Sequence, residues 1–84
     1  MPKVEVYTQP YCPFCARALK LLTGKNVAFE EIDAPSGSPE RARAIERSGR
    51  TSVPQIFIGG RHVGGCDDLM ALDRAGGLDA LLAA

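Results

Sequence analysis

Two of the three cysteines, Cys12 and Cys15, are separated only by Pro13 and Phe14, and the third, Cys66, lies far along the chain. A Cys-x-x-Cys at a strand-to-helix junction reads first as a redox pair, because neighbouring thiols can exchange one disulfide for another. Pro13 has no amide hydrogen and a fixed φ. It therefore suits the first position of a helix and puts Cys12 at the N-cap. Unpaired N–H groups and the positive end of the helix dipole converge there, which favours a thiolate over a thiol. Cys15 shares a face with Ala18, Leu19 and Leu22, an i, i+3, i+4, i+7 series that must point into a core. The two sulfurs are thus expected to be unequal, with Cys12 exposed and attacking and Cys15 behind it and resolving.

The same side chains permit another chemistry. Cys12, Cys15, His62 and Cys66 form a Cys3His set of the kind that holds structural zinc. Against this, Cys12 is at an exposed helix start and no second close pair exists, so no metal is expected. Cys66 reads as a small, partly buried residue at a helix start whose backbone matters more than its sulfur, although an exposed thiol there could be oxidised. His62 lies on a hairpin strand with no carboxylate at catalytic spacing and reads as a surface residue.

The elements that position these groups follow from pattern. The 84 residues allow one domain, residues 1–84, with one modest core. Ten basic and ten acidic side chains cancel, which leaves no field to recruit nucleic acid or an anionic membrane surface. Met1-Pro2-Lys3 leads straight into alternating residues, so neither a signal peptide nor a membrane span is expected, and an odd cysteine count suits thiols kept for chemistry. A cytoplasmic location is expected.

Residues 3–7 alternate as a strand, with Val4 and Val6 on one face and Glu5 and Tyr7 on the other. The first helix should run to about Thr23 and stop at Gly24. Residues 27–33 read as a second strand, closing a right-handed parallel βαβ unit. Ser38-Pro39-Glu40 is a helix start, and that helix should end at Gly49 with Ala42 and Ile45 turned inward. Its charged outer face is by default only solvated. Gly59-Gly60 between residues 55–58 and 61–64 signals a hairpin. A helix from Cys66-Asp67-Asp68, with acids suited to an N-cap, should run to about Ala75 and break at Gly76-Gly77. The order strand, helix, strand, helix, hairpin, helix gives an α/β fold, a four-stranded mixed sheet with helices on both faces.

Three separated motifs together resemble the glutaredoxin family, most closely its short bacterial dithiol members: Cys12-Pro13-Phe14-Cys15, the run from Arg50 to Ile58 around Val53-Pro54, and Gly64-Gly65-Cys66-Asp67-Asp68-Leu69. Ala71-Leu72-Asp73 and Gly76-Gly77-Leu78 resemble the family's C-terminal end. The resemblance implies a thioredoxin fold, with Pro54 in a cis peptide bond facing the active site and the Val53 backbone turned to pair with a peptide beside Cys12. It also implies glutathione as co-substrate, with no tightly bound cofactor. A tripeptide with two carboxylates and one amine needs anion-binding groups at both ends. The helix start at Gly65, Cys66, Asp67 and Asp68 would take the γ-glutamyl carboxylate on its N–H groups, and the Asp67 or Asp68 carboxylate the amine. Arg41, by approximate alignment, would face the glycyl carboxylate, and Phe14, Ser52, Val53 and Pro54 would line the site. Tyr11 either only packs or flanks the glutathione chain.

Departures from the family pattern are few. Gln9 stands where many members carry a lysine, which removes one source of thiolate stabilisation and leaves more to the helix terminus. Phe14 replaces the common tyrosine and Ser52 the common threonine, changes of degree and not of reaction. The resemblance therefore implies a glutathione-dependent thiol-disulfide oxidoreductase serving cell redox homeostasis. Its partners would be disulfide-containing or glutathionylated proteins, with glutathione reductase acting indirectly, and the chain is expected to be a monomer. A cluster shared between two chains through Cys12 is known among relatives, mostly those lacking the second cysteine, and Cys15 argues against it here. A redoxin fed directly by a flavoprotein reductase is the other reading, and the Gly64 to Asp68 motif argues against that.

Overall fold

The chain closes one sheet of four short strands, β1 (Val4–Thr8), β2 (Glu30–Asp33), β3 (Gln55–Ile58) and β4 (Arg61–Gly64), in the order β2-β1-β3-β4. The computed structural model describes residues 2–84. β1 pairs parallel with β2 and antiparallel with β3, and β3 pairs antiparallel with β4. The mixed four-stranded sheet of a thioredoxin fold is therefore present. Helices α1 (Pro13–Gly24), α3 (Cys66–Arg74) and α4 (Gly77–Ala83) cover one face, and α2 (Pro39–Ser48) covers the other.

Strand alternation divides the core. Val4, Val6, Ile56 and Ile58 point to the α1 side, where they meet Ala18, Leu22, Leu69, Leu78 and Leu82. Tyr7 and Phe57 point to the α2 side and meet Ala34 and Ala44. Both faces of β1 and β3 are thus buried, as expected for the central strands of a layered α/β sheet.

Punctuation residues set the joints. Ser38 caps α2 by accepting the Arg41 N–H at 3.0 Å, Pro39 takes its first position, and Gly49 closes it in the left-handed conformation at φ 70°. Gly59 and Gly60, at φ 60° and 80°, form the hairpin turn between β3 and β4.

Four sequence expectations are corrected. α1 runs through Gly24, and its end is made by Asn26 at φ 57°, whose N–H donates to Thr23 O at 3.1 Å. β2 is shorter than residues 27–33; Val27 and Phe29 pack on the core without joining the ladder. The N-cap of α3 is Gly65 and not an acid; Asp68, at the third helical position, reaches back to accept the Gly65 N–H at 3.0 Å. The inward face of α2 is Arg41, Ala44 and Arg47, whereas Ala42 and Ile45 are exposed.

That last difference has a physical cause. The sheet beneath α2 presents the ring of Phe57, the Tyr7 hydroxyl and the Glu5 carboxylate. The Arg47 guanidinium lies 3.9 Å from the Phe57 ring centroid and donates to Tyr7 Oη at 2.9 Å and to both Glu5 carboxylate oxygens at 3.1 Å. A guanidinium matches that mixed surface better than isoleucine, since it stacks on a ring and forks onto a carboxylate together.

Candidate active site

Cys12 occupies the N-cap of α1 in extended geometry, φ −110° and ψ 103°, and its sulfur accepts the Cys15 N–H at 3.2 Å. Its carbonyl accepts the Ala16 N–H, the first bond of the helix, at 3.0 Å. Pro13 at the first helical position fixes this arrangement. Cys12 is half-buried, while Cys15, one turn inside, is 2% exposed. Burial first, and then the hydrogen bond with the Cys12 thiol, push Cys15 up to about 12. Cys15 is therefore a thiol at neutral pH, and Cys12 is the sulfur that a reactant can reach. All three cysteines are free thiols in this structure.

A groove of about 240 Å³ is bordered by Phe14, Arg50, Ser52, Val53, Pro54, Gly65, Cys66, Asp67 and Asp68. The Val53-Pro54 peptide is cis, and the Val53 carbonyl oxygen stands 3.9 Å from Cys12 Sγ. Eight of the residues singled out from sequence as a ligand site border this one groove. The opposite wall is the start of α3. The amides of Cys66 and Asp67 have no intrahelical acceptor in the first turn.

Gly64 allows the chain to turn into that wall. Its φ is 128°, and a Cβ there would collide with the Asp68 side chain, lying 2.7 Å from Asp68 Cβ. Asp68 Oδ2 holds two donors, the Gly65 N–H at 3.0 Å and Arg50 Nη1 at 2.6 Å. The Arg50 hydrogen bond first, then the Gly65 N–H, keep its carboxyl below the usual range. The two aspartates are accordingly different. Asp68 is engaged as cap and ion-pair partner, whereas Asp67 is exposed, and its carboxylate has no hydrogen-bond or ion-pair partner among the described residues.

Two residues fall outside the groove. Tyr11, fully exposed at φ 58°, flanks a second cleft, which Cys12 itself borders together with Gln9, Leu19 and Glu31. Arg41 is close to that side. Its guanidinium donates to Thr51 O at 3.2 and 3.0 Å, to Ala34 O at 2.9 Å and to Gln9 Oε1 at 2.9 Å. Four of its five N–H donors are thus used, three of them on the loops that flank α2 and one on the loop before Cys12.

Sequence reasoning gave Arg50 and Gln55 no role of their own and read His62 only as a formal metal ligand set aside in favour of a surface residue. Arg50 lay inside a quoted motif and borders the groove. Gln55 is fully buried at the start of β3, a polar residue whose partners the local sequence does not reveal. His62 is half-buried and not on the surface as expected; its ring packs against Phe57 and its Nε2 lies 2.7 Å from Gln55 Oε1. Among the described residues, no three His, Cys, Asp or Glu side chains are grouped to hold a metal ion. Cys66 is buried at the groove wall, and that burial pushes its thiol up.

Comparison with known proteins adds to the geometry. A family model described as Glutaredoxin matches residues 4–63. A glutaredoxin of Pseudomonas aeruginosa is 59% identical over 85 residues, covering 100% of both chains. Glutaredoxin 3 of Escherichia coli K12 is 55% identical over 82 residues, covering 98% of this chain and 99% of that protein. Among solved structures, a buckwheat glutaredoxin-glutathione complex superimposes with a TM-score of 0.87 at 32% identity, covering 98% of this chain and 77% of that one.

Proposed function

The chain belongs to the glutaredoxin family of thiol-disulfide oxidoreductases, and from that premise we propose that it is a glutathione-dependent enzyme acting through Cys12 and Cys15 on glutathionylated proteins and protein disulfides. The observation that carries this reading is the position of Cys12. Its sulfur stands 3.9 Å from the carbonyl oxygen of Val53, whose backbone is one wall of a groove that has the open N-terminus of α3 as its other wall. A peptide cysteine laid along Val53 would bring its sulfur to Cys12. The γ-glutamyl carboxylate would lie against the amides of Cys66 and Asp67, where helix N-termini favour anions. The exposed Asp67 carboxylate suits the α-amino group. Phe14, Ser52 and Pro54 would flank the chain of the tripeptide, and Tyr11 the far side of Cys12. At the glycyl end Arg41 would offer its remaining N–H.

The chemistry then follows from the unequal thiols. The Cys12 thiolate attacks the glutathione sulfur of a mixed disulfide, the S–S bond breaks, and the substrate thiolate leaves and takes a proton from solvent. A second glutathione thiolate attacks the sulfur now joined to Cys12, releasing glutathione disulfide and restoring Cys12. With a protein disulfide, Cys12 forms the mixed bond, and Cys15 gives up its proton and attacks Cys12 Sγ. The substrate leaves as a dithiol with a Cys12–Cys15 disulfide behind it, which two glutathione molecules reduce. Holding the glutathione unit in line converts a chance encounter into an oriented one.

No cofactor beyond glutathione enters this scheme, and glutathione reductase would regenerate the thiol. The reading includes a cytoplasmic monomer. No helix among the described residues is long and apolar enough to cross a membrane.

The test is turnover of a glutathione mixed disulfide with a small thiol, coupled through glutathione reductase to NADPH oxidation. Loss of activity in Cys12→Ser with retention in Cys15→Ser is the expected result. No turnover by the wild type, beside efficient reduction by a thioredoxin reductase, would replace glutathione as electron donor.

A further inference from the structure

One polar chain inside the fold has no part in the reaction as drawn, yet it ends on the groove. Gln55 is fully buried, and its side-chain amide donates through Nε2 to Ser52 O at 3.1 Å, with Ser52 Oγ at 3.4 Å. Its Oε1 lies 2.7 Å from His62 Nε2. The direction of each bond is determined. A carbonyl can only accept, so the nitrogen of Gln55 faces Ser52; its oxygen then faces His62, and an oxygen can only accept. His62 must carry its proton on Nε2. The imidazole is held in turn by Phe57, its cross-strand partner, with ring centroids 5.0 Å apart, and burial lowers its proton affinity.

Ser52 is the residue before Val53, so the peptide that joins them begins at the carbonyl Gln55 holds. The next carbonyl, that of Val53, is the one 3.9 Å from Cys12 Sγ. We infer that His62 is a positioning residue for substrate: through Gln55 it fixes the Ser52 carbonyl, and so the rotation of the Val53 backbone that the cysteine of a glutathionyl substrate lies along. This inference rests on the glutathione reading above. The link is one-sided, since His62 lines neither the groove nor the cleft at Cys12 and its loss would leave the reacting sulfurs in place. With the donor gone, Gln55 loses the bond that orients its oxygen, and its amide is free to turn away from Ser52.

The test uses the coupled assay. His62→Phe keeps a flat ring against Phe57 and removes the donor. It should raise KM for the glutathione mixed disulfide about fivefold, the scale of one buried neutral hydrogen bond, with kcat within a factor of two. His62→Gln restores a nitrogen donor at the same reach and should recover most of the KM. An unchanged KM in His62→Phe, equal falls in kcat for both variants, or no rescue by glutamine would each overturn the inference. If wild type shows no turnover of the mixed disulfide, the glutathione reading fails as well, a different result from an active wild type with an indifferent His62→Phe. A measurement on the unaltered protein covers a variant that does not fold. Long-range ¹H–¹⁵N spectra near neutral pH should show the Nε2–H tautomer, and the Nδ1–H tautomer would refute the relay.

Discussion

Cys15 should resist alkylation in the folded protein far more than its chemistry as a thiol predicts. The perturbation is a pH series of iodoacetamide labelling, followed by peptide mass spectrometry on reduced wild type and on Cys12→Ser. Cys15 is pushed up from 9.0 to about 12, so its thiolate fraction near neutral pH falls about a thousandfold. The larger cause, burial, survives when Cys12 is replaced, whereas the hydrogen bond with the Cys12 thiol does not. Suppression of at least about a hundredfold relative to the urea-denatured chain is therefore expected in Cys12→Ser, and more in wild type. The rate should climb about tenfold per pH unit and reach no plateau below about pH 10. Steric protection alone would slow the reaction without moving the plateau, so a levelling off near pH 9 would refute the argument. Stability carries the same information. A raised folded value means that the contribution is complete below the unfolded value and is lost as pH rises through the interval from 9.0 to about 12. Urea unfolding of the reduced protein should thus weaken on the alkaline side more steeply than that of Cys15→Ala.

Other perturbations test the walls of the groove and the face beneath α2. Gly64→Ala should cost about 2–4 kcal/mol in urea unfolding, from backbone strain and a displaced Asp68 cap, and should raise KM. Gly60→Ala, at φ 80° with nothing within 4 Å of an added Cβ, should cost only the strain, and equal losses at the two positions would remove the cap from the account. Arg47→Met should destabilise by about 2–3 kcal/mol, because it leaves Glu5 and Tyr7 Oη without a donor. In the same variant the Glu5 carboxyl, now lowered chiefly by its hydrogen bond with Arg47, should move back up toward 4.5, read by carboxyl NMR titration. Glu5 and Arg47 contribute stability above that value and lose it as pH falls through the lowered folded one, so the variant should show a flatter acid limb. Asp67→Asn should raise KM for glutathione substrates by up to tenfold with little change in stability, whereas Asp68→Asn should lower stability too; equal behaviour of the two would contradict their separate roles.

The parts of the fold legible in the sequence are those where one residue type dictates one backbone state. Pro13, Ser38-Pro39, Gly49 and Gly59-Gly60 each mark a joint where it occurs, because each supplies a fixed φ, a capping oxygen or a left-handed conformation. The face of α2 was not legible. Apolar periodicity presumes that what faces inward is hydrocarbon, and here the sheet offers a ring, a hydroxyl and a carboxylate, so arginines face inward. The site divides in the same way. Cys12, Val53-Pro54 and the Gly65 to Asp68 run are contiguous motifs, and the fold brings them together. Gln55 and His62 meet because a hairpin register puts residues seven apart on one face, and no local pattern signals that they need each other.

Gln9 shows how a departure in sequence can be answered elsewhere in the fold. It stands where many members of the family carry a lysine, and its side chain alone brings no charge to the loop before Cys12. The structure supplies a guanidinium at that loop: Arg41, from the first turn of α2, reaches across to donate to Gln9 Oε1 at 2.9 Å and to Thr51 O on the approach to Val53. An amide is suited to this arrangement, because glutamine can accept from an arginine where a lysine would repel it. Residues 9 and 41 therefore form one unit that joins the loop before the nucleophile to the segment leading into the Val53 wall. Changing Gln9 to Lys would put a second cation beside Arg41 and displace one of them, so the expected result is loss of the Arg41 tether and not a simple gain of charge. A Gln9→Lys variant with higher turnover and undiminished stability would show that the two positions act independently.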